Sequence, residues 1–298
     1  MLTPHPRSPA LRLATLVALL TLTATGTAGC SKAVGHPAAQ TSAAATSEAV
    51  STTPPAAPTT PPPSPTPSPT RSRAASPSAS PSAKYKDTRP PNSQPGIAGA
   101  LRGTGSSAIA LTFDDGPDPN VTPALLDLLA QQGVKATFCL VGHRARDNPA
   151  IVARIAAEGH TLCNHSWQHL DNLSDRDDNY LRWDLKSTND AILAAAPGAK
   201  LNYFRAPYGK FTPRLVAFAA ELDLTPIFWD VDDQCFKTAE FGTGQAMIGH
   251  MTQEVQRDTR PGSILLSHDN LKPHTVTAYR TLLPWLKARY TLIALPTH

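Results

Sequence analysis

From Ser107 onward the apolar residues follow two alternating rhythms. Short apolar runs have the length of strands: SAIALTF (107–113), VKATFCLV (134–141), HTLCNH (160–165), LNYFRAP (201–207), LTPIFWDV (224–231), GSILLSH (262–268) and YTLIAL (290–295). Between them lie amphipathic stretches with the period of a helix that buries one face. These are TPALLDLLAQQG (122–133), NPAIVARIAAEG (148–159), SDRDDNYLRWDLKSTNDAILAAA (174–196), TPRLVAFAAEL (212–222), GQAMIGHMTQEVQ (244–256) and TVTAYRTLLPWLKAR (275–289). Pro123 falls in the first turn of the first helix and Gly133 stops it; the second repeats that punctuation, and Ser174 is expected to open the long one.

About seven strand–helix alternations predict a parallel sheet wrapped by helices, either an open doubly wound sheet or a closed barrel. In both architectures the chemistry collects where strands end. The polar residues sort accordingly. Asp114 and Asp115 follow the first strand, and His165 and His169 the third. Arg205, Pro207 and Tyr208 follow the fourth, Asp230, Asp232 and Asp233 the fifth, and His268 the sixth. No glycine-rich phosphate loop follows the first strand, which counts against a nucleotide cofactor.

The chain upstream has another character. In residues 1–30, Arg7 and Arg12 precede the apolar run LATLVALLTLTATG and the small-residue ending TAGC, the layout of an export signal. Its apolar run is shorter than the ~20 residues of a membrane span. Ending on Cys30 resembles a bacterial lipoprotein signal, although Thr27 stands where an aliphatic residue is usual. A lipidated Cys30 would anchor the protein to the membrane, on the outside of the cell; plain secretion is the alternative. Residues 31–105 are expected to form a disordered stalk, because proline, serine, threonine and alanine dominate and offer little to bury. Residues 106–298 would be the folded domain, large enough for a substantial core. The formal net charge of +4 is mild and its basic residues scattered, so no nucleic-acid partner is expected. A monomer is the expected state.

The sequence LTFDDGPDPN sets two carboxylates side by side at the end of a strand. Such a pair is tolerable when a cation sits with it. The pair His165 and His169 in HSWQH, with a carboxylate on the same rim, makes a set suited to zinc or a similar divalent ion. TFDDGP, NHSWQH, FRAPYG and LLSH, in that order, resemble the motifs of the polysaccharide deacetylases of carbohydrate esterase family four, the NodB-homology domain. The resemblance spans about residues 106–296. It implies a distorted (β/α) barrel of about seven parallel strands ringed by helices. It further implies that Asp115, His165 and His169 bind a divalent metal, expected to be zinc. Asp114 would be the general base toward a water held by that metal, and Arg205 would orient Asp114. The Tyr208 backbone N–H would stabilise the oxyanion, His268 would protonate the leaving amine, and Leu266 would line the pocket for the acetyl methyl.

One motif departs from the family pattern, which ends Asp-x-x-Asp-Trp. The corresponding run here is WDVDDQCF: Asp232 matches the first aspartate, Cys235 replaces the second, and Phe236 replaces the tryptophan. The missing aspartate is the family's partner for the acid histidine. Asp233 and Asp269 are the candidates to replace it, and Phe236 can still wall an apolar pocket. Cys139 and Cys163 fall on consecutive predicted strands, which lie about 4.8 Å apart, within reach of a disulfide. Three small buried hydrophobes would be the alternative reading of Cys139, Cys163 and Cys235.

The resemblance implies a hydrolase that removes acetyl groups from an extracellular N-acetylhexosamine polymer, peptidoglycan ahead of chitin-like glycans. A catalytically impaired glycan- or metal-binding homologue, an esterase acting on O-acetylated xylan, and a structural envelope lipoprotein are the alternatives.

Overall fold

The computed structural model describes residue 87 and residues 89–298. The expected export signal, Cys30 and most of the expected stalk lie outside the described residues. Among those described, eight parallel strands form one curled sheet ringed by helices. β1 (Ile109–Asp114) is its centre, and the order is β5-β4-β3-β2-β1-β7-β6, with β8 also paired to β1. β2 is Thr137–Leu140, β3 Thr161–Asn164, β4 Leu201–Phe204, β5 Thr225–Pro226, β6 Val231–Asp232, β7 Ile264–His268 and β8 Leu292–Ile293.

Side-chain alternation along β1 separates two interiors. Ile109, Leu111 and Phe113 face the helical layer and join its large apolar cluster. Ala110 faces the barrel interior, where it packs with Cys139, Cys163, Tyr203, Ile227, Ile264 and Leu295. All six residues of β1 are buried, as a strand covered on both faces requires. Cys139 and Cys163 stand opposite each other in the β2–β3 register and form a disulfide across the middle of that interior. The C-terminal tail closes the far end: Thr161 Oγ1 and Tyr203 OH donate to the carbonyls of Leu295 and Pro296.

The helices are α1 (Thr122–Gln132), α2 (Gly142–Asp147), α3 (Pro149–Ala157), α4 (Asp178–Ala195), α5 (Pro213–Ala220), α6 (Thr238–Phe241), α7 (Gln245–Asp258) and α8 (Pro273–Lys287). Gly133 ends α1 at φ 64°, the left-handed conformation expected of a C-terminal glycine. α4 begins later than its sequence suggests. Ser174 lies in a separate 3₁₀ turn, and Asp177 caps the helix by accepting from Tyr180 N.

Two sequence expectations need correction. The run LTPIFWDV is not one strand. It divides into β5 and β6, which hydrogen-bond to opposite edges of the sheet, so residues 227–230 bridge the gap instead of filling it with a ladder. The folded part also begins upstream of Ser106. Leu101 pairs with Ile227 and Gly103 with Ser263, while Asn92 N donates to Pro261 O. Backbone groups of Asn92, Leu101 and Thr104 thus find their partners in the domain.

Candidate active site

The C-terminal ends of β1, β3, β4, β6 and β7 open onto one cleft of about 360 Å³. Asp114, Asp115, His165, His169, Tyr208, Phe236, Leu266 and His268 all line it, so the sequence-predicted residues converge. Arg205 lies behind that wall, fully buried. Trp229 and Lys272 also line the cleft and were not singled out from the sequence. Trp229 lies inside a run that reads as a strand interior. Its ring faces the cleft because the chain is bridging an edge there, stacked on Phe228 at 4.1 Å.

The two aspartates of TFDDGP have separate surroundings. Asp114 ends β1 and points into the barrel mouth, where Arg205 Nη1 donates to its Oδ1 at 2.7 Å. The same nitrogen donates to Thr112 Oγ1, and Arg205 Nη2 donates to Phe228 O. The guanidinium is therefore fixed by three acceptors in a dry site, where its pairing with a carboxylate is strong. Asp115 follows at φ 75°, which turns its side chain away from its neighbour's. Its Oδ1 is 3.4 Å from His165 Nε2 and 3.2 Å from His169 Nε2. That buried oxygen has no hydrogen-bond partner.

The HSWQH loop is built to hold its imidazoles. Asn164 Oδ1 accepts from Ser166 N, Ser166 Oγ accepts from His169 N, and Asp184 Oδ1 accepts from Trp167 N. His165 Nδ1 lies 2.8 Å from Arg205 O. A carbonyl can only accept, so Nδ1 carries a hydrogen and Nε2 is the nitrogen turned toward Asp115. Ser166 and His169 adopt φ 65° and 55°, and Tyr208 φ 56°. Left-handed backbone at non-glycine residues costs about 1 kcal/mol or more each, and here it gathers where side chains must face a single point.

Ionisation follows the same geometry. Burial opposes a charged Asp115, but the imidazoles of His165, His268 and His169 overcome it and hold the carboxyl below the usual range. Burial likewise opposes charging of His165, and the carboxylates of Asp114 and Asp115 outweigh it, raising its pKa. His169, buried beside another imidazole, is pushed down to about 4.

The residues present fit a divalent cation. Asp115, His165 and His169 offer ligand atoms within 4.8 Å of one another, one being the orphaned Asp115 Oδ1. Two imidazole nitrogens and a carboxylate are a common donor set for zinc at catalytic sites.

The far side of the cleft carries His268, Leu266 and Phe236. Phe236 is half exposed and meets the His268 ring edge-on, with centroids 5.8 Å apart. Cys235 Sγ lies 3.2 Å from His268 Nδ1. Asp233 does not bond His268: its carboxylate accepts from Ser267 Oγ and Cys235 N, and burial pushes its pKa up to about 6. Asp269 turns to Thr122 Oγ1 at 2.6 Å and packs against Gly116, where a Cβ would come within 2.5 Å of its Oδ1. Asp230 leaves the rim altogether and pairs with Arg260 at 3.0 Å. Of the three aspartates placed after the fifth predicted strand, Asp232 lines the cleft.

Residues 102–227 match the family model described as polysaccharide deacetylase. The chain is 34% identical over 203 residues to the chitooligosaccharide deacetylase of Sinorhizobium fredii, covering 64% of this chain and 91% of that one. This chain belongs to the polysaccharide deacetylase family. Its fold also matches that of a peptidoglycan N-acetylglucosamine deacetylase solved with 4-naphthalen-1-yl-N-oxidanyl-benzamide. There the TM-score is 0.58 at 33% identity, over 65% of this chain and 89% of that one. A mutant of a CE4 family pseudoenzyme from Bacillus anthracis matches with a TM-score of 0.56 at 29% identity, over 63% and 65% of the two chains. The family thus contains both enzymes and a member named for lacking activity.

Proposed function

We propose that the protein is a metal-dependent hydrolase that removes acetyl groups from an extracellular N-acetylglucosamine polymer, most of all peptidoglycan. The observation that carries this reading is the division of labour between adjacent carboxylates. Asp114 is held by buried Arg205 at 2.7 Å, while Asp115 faces His165 and His169 across the same cleft. Relatives that act on chitooligosaccharide and on peptidoglycan supply the substrate class.

Asp115, His165 and His169 would hold the cation. When bound, it would supply Lewis acidity toward the acetyl carbonyl and the attacking water. The chain's own residues do the rest. Asp114 accepts the proton of the attacking water, and Arg205 keeps that carboxylate aimed. Tyr208, in the 3₁₀ turn after β4, presents its backbone N–H toward the developing oxyanion. Gly209 beside it has φ 66°, and a Cβ there would reach within 2.6 Å of Trp229, so this turn needs glycine. His268 delivers a proton to the departing amine, and Leu266 packs against the acetyl methyl.

The export signal and stalk read from the sequence support placement outside the cell, with lipidation at Cys30 tethering the domain near the wall. A second reading, a homologue that binds glycan with impaired turnover, is favoured by one observation: a thiol occupies the position facing His268 Nδ1. Acetate release from peptidoglycan and from chito-oligosaccharide, with zinc and with chelator, separates the two. Release that depends on metal supports the enzyme; none, in a folded protein that retains glycan, supports the binder.

A further inference from the structure

The outward face of α4 is polar at Arg182, Lys186 and Asp190, yet it carries Trp183 with 46% of its surface exposed. Among the described residues Trp183 joins no apolar core cluster. It meets two other aromatic rings instead: Trp167 at 5.9 Å and Tyr180 at 5.4 Å between centroids. The cluster continues to the cleft. Tyr180 OH donates to Gln168 Oε1 at 3.3 Å, and Gln168 precedes His169, whose ring lies 4.6 Å from that of Tyr208. Tyr208 itself is 60% exposed at the cleft mouth. The two ring groups are thus joined through Gln168, which links the candidate active site over the HSWQH loop to α4.

We infer that Trp183, braced by Trp167 and Tyr180, is a stacking platform for the glycan strand of the substrate, at sugars remote from the acetyl group being removed. The occupant follows from the deacetylase reading and from continuity with the cleft. A pyranose ring presents an apolar C–H face and a polar hydroxyl rim. Aromatic side chains offer a flat apolar surface at low conformational cost, with polar groups at the margin. Guanidinium groups cap two of the rings, Arg146 over Trp167 at 5.3 Å and Arg176 over Tyr180 at 4.8 Å, so Trp183 is the exposed ring of the three, with the polar Arg182 and Lys186 beside it on α4. Binding energy gathered at such a remote site acts on long substrates and leaves short ones unaffected. The platform would make the enzyme discriminate by chain length.

The test compares the full chain with Trp183→Ala, Trp183→Phe and Leu193→Ala, the last removing another exposed apolar side chain of α4. Kinetics are measured on soluble glycol chitin and on N,N′-diacetylchitobiose. Trp183→Ala should raise KM on the polymer about tenfold, the scale of one lost aromatic contact, with kcat little changed. The disaccharide parameters and the Leu193→Ala enzyme should stay as wild type, and phenylalanine should restore most of the loss. An unchanged polymer KM, or equal loss on both substrates, overturns the platform while leaving the deacetylase reading intact. The platform is also read without turnover, by retention of Asp114→Asn protein on insoluble chitin and on peptidoglycan sacculi. Adding Trp183→Ala should weaken retention on one or both; undiminished retention on both overturns the platform. Failure of the wild type to release acetate from any substrate would count against the deacetylase reading, and the retention comparison would then decide the platform by itself.

Discussion

Cys235 Sγ faces His268 Nδ1 at 3.2 Å, where the family pattern has an aspartate. The thiol is fully buried, and burial together with nearby Asp233 pushes its pKa well up, so it meets the imidazole as a neutral S–H. A neutral thiol is a weak hydrogen-bond partner, and it stabilises a protonated imidazole less than a carboxylate does.

Replacing Cys235 with aspartate should therefore raise kcat for deacetylation, by roughly tenfold, the scale of one improved charge-assisted hydrogen bond to a general acid. KM should change little, since Cys235 lies behind His268 and outside the lining of the cleft. Steady-state acetate release checks this. Unchanged kcat would mean that protonation of the leaving amine does not limit turnover.

Among the described residues Arg205 is the largest fully buried side chain, and its charge is matched by Asp114. Arg205→Met removes one partner of a buried pair and leaves Asp114 without its counter-charge. Unfolding free energy should fall by about 3–5 kcal/mol, measured by urea titration, and activity should be lost. The paired change Arg205→Met with Asp114→Leu should recover much of the stability and none of the activity.

Asp184 is buried beneath the HSWQH loop, and burial raises its pKa from 3.8 to about 7 against the opposing bond from Trp167 N. The folded protein thus retains a proton that the unfolded chain releases near pH 3.8. The unfolded state binds fewer protons between these values, so this group makes stability fall as pH rises from about 4 toward 7. Asp184→Asn should remove that slope and stabilise the protein at pH 8 by roughly 1–3 kcal/mol. Thermal melts of both proteins at pH 5 and pH 8 measure it; an identical slope in the two would contradict the assignment.

The Cys139–Cys163 bond closes a loop with a sequence separation of 24 in the barrel interior. Substituting both cysteines by alanine should cost about 2–4 kcal/mol. The cleft residues lie on strands that remain hydrogen-bonded, so activity at low temperature should persist.

Much of this was legible in the sequence because strand ends carry the chemistry. Asp114, His165, Arg205 and His268 each follow or end an apolar run of strand length, and a parallel sheet brings such ends to one rim. The disulfide was half legible: consecutive strands put the two cysteines within reach, and only the register set them opposite each other. Asp230 and Trp229 were misread or missed for a shared reason. LTPIFWDV has a strand's composition, but its middle crosses the open edge of the sheet, so the inward and outward alternation on which sequence reasoning relies breaks there. Ser174 looked like a helix start because serine is a good cap, whereas Asp177 three residues on makes the actual bond. The aromatic platform joins residues from a loop and from a helix, a relation that no local periodicity encodes.

We propose Asp114 as the base beside a cation held by Asp115, His165 and His169. The most direct measurement pairs zinc stoichiometry with acetate release for the wild type and for Asp114→Asn, on peptidoglycan and on chito-oligosaccharide. The variant should still bind one zinc while its acetate release falls by ~10²–10⁴-fold, the range for loss of a positioned general base. Chelation should abolish release by the wild type. Undiminished release by zinc-loaded Asp114→Asn, or by the chelated wild type, would contradict it.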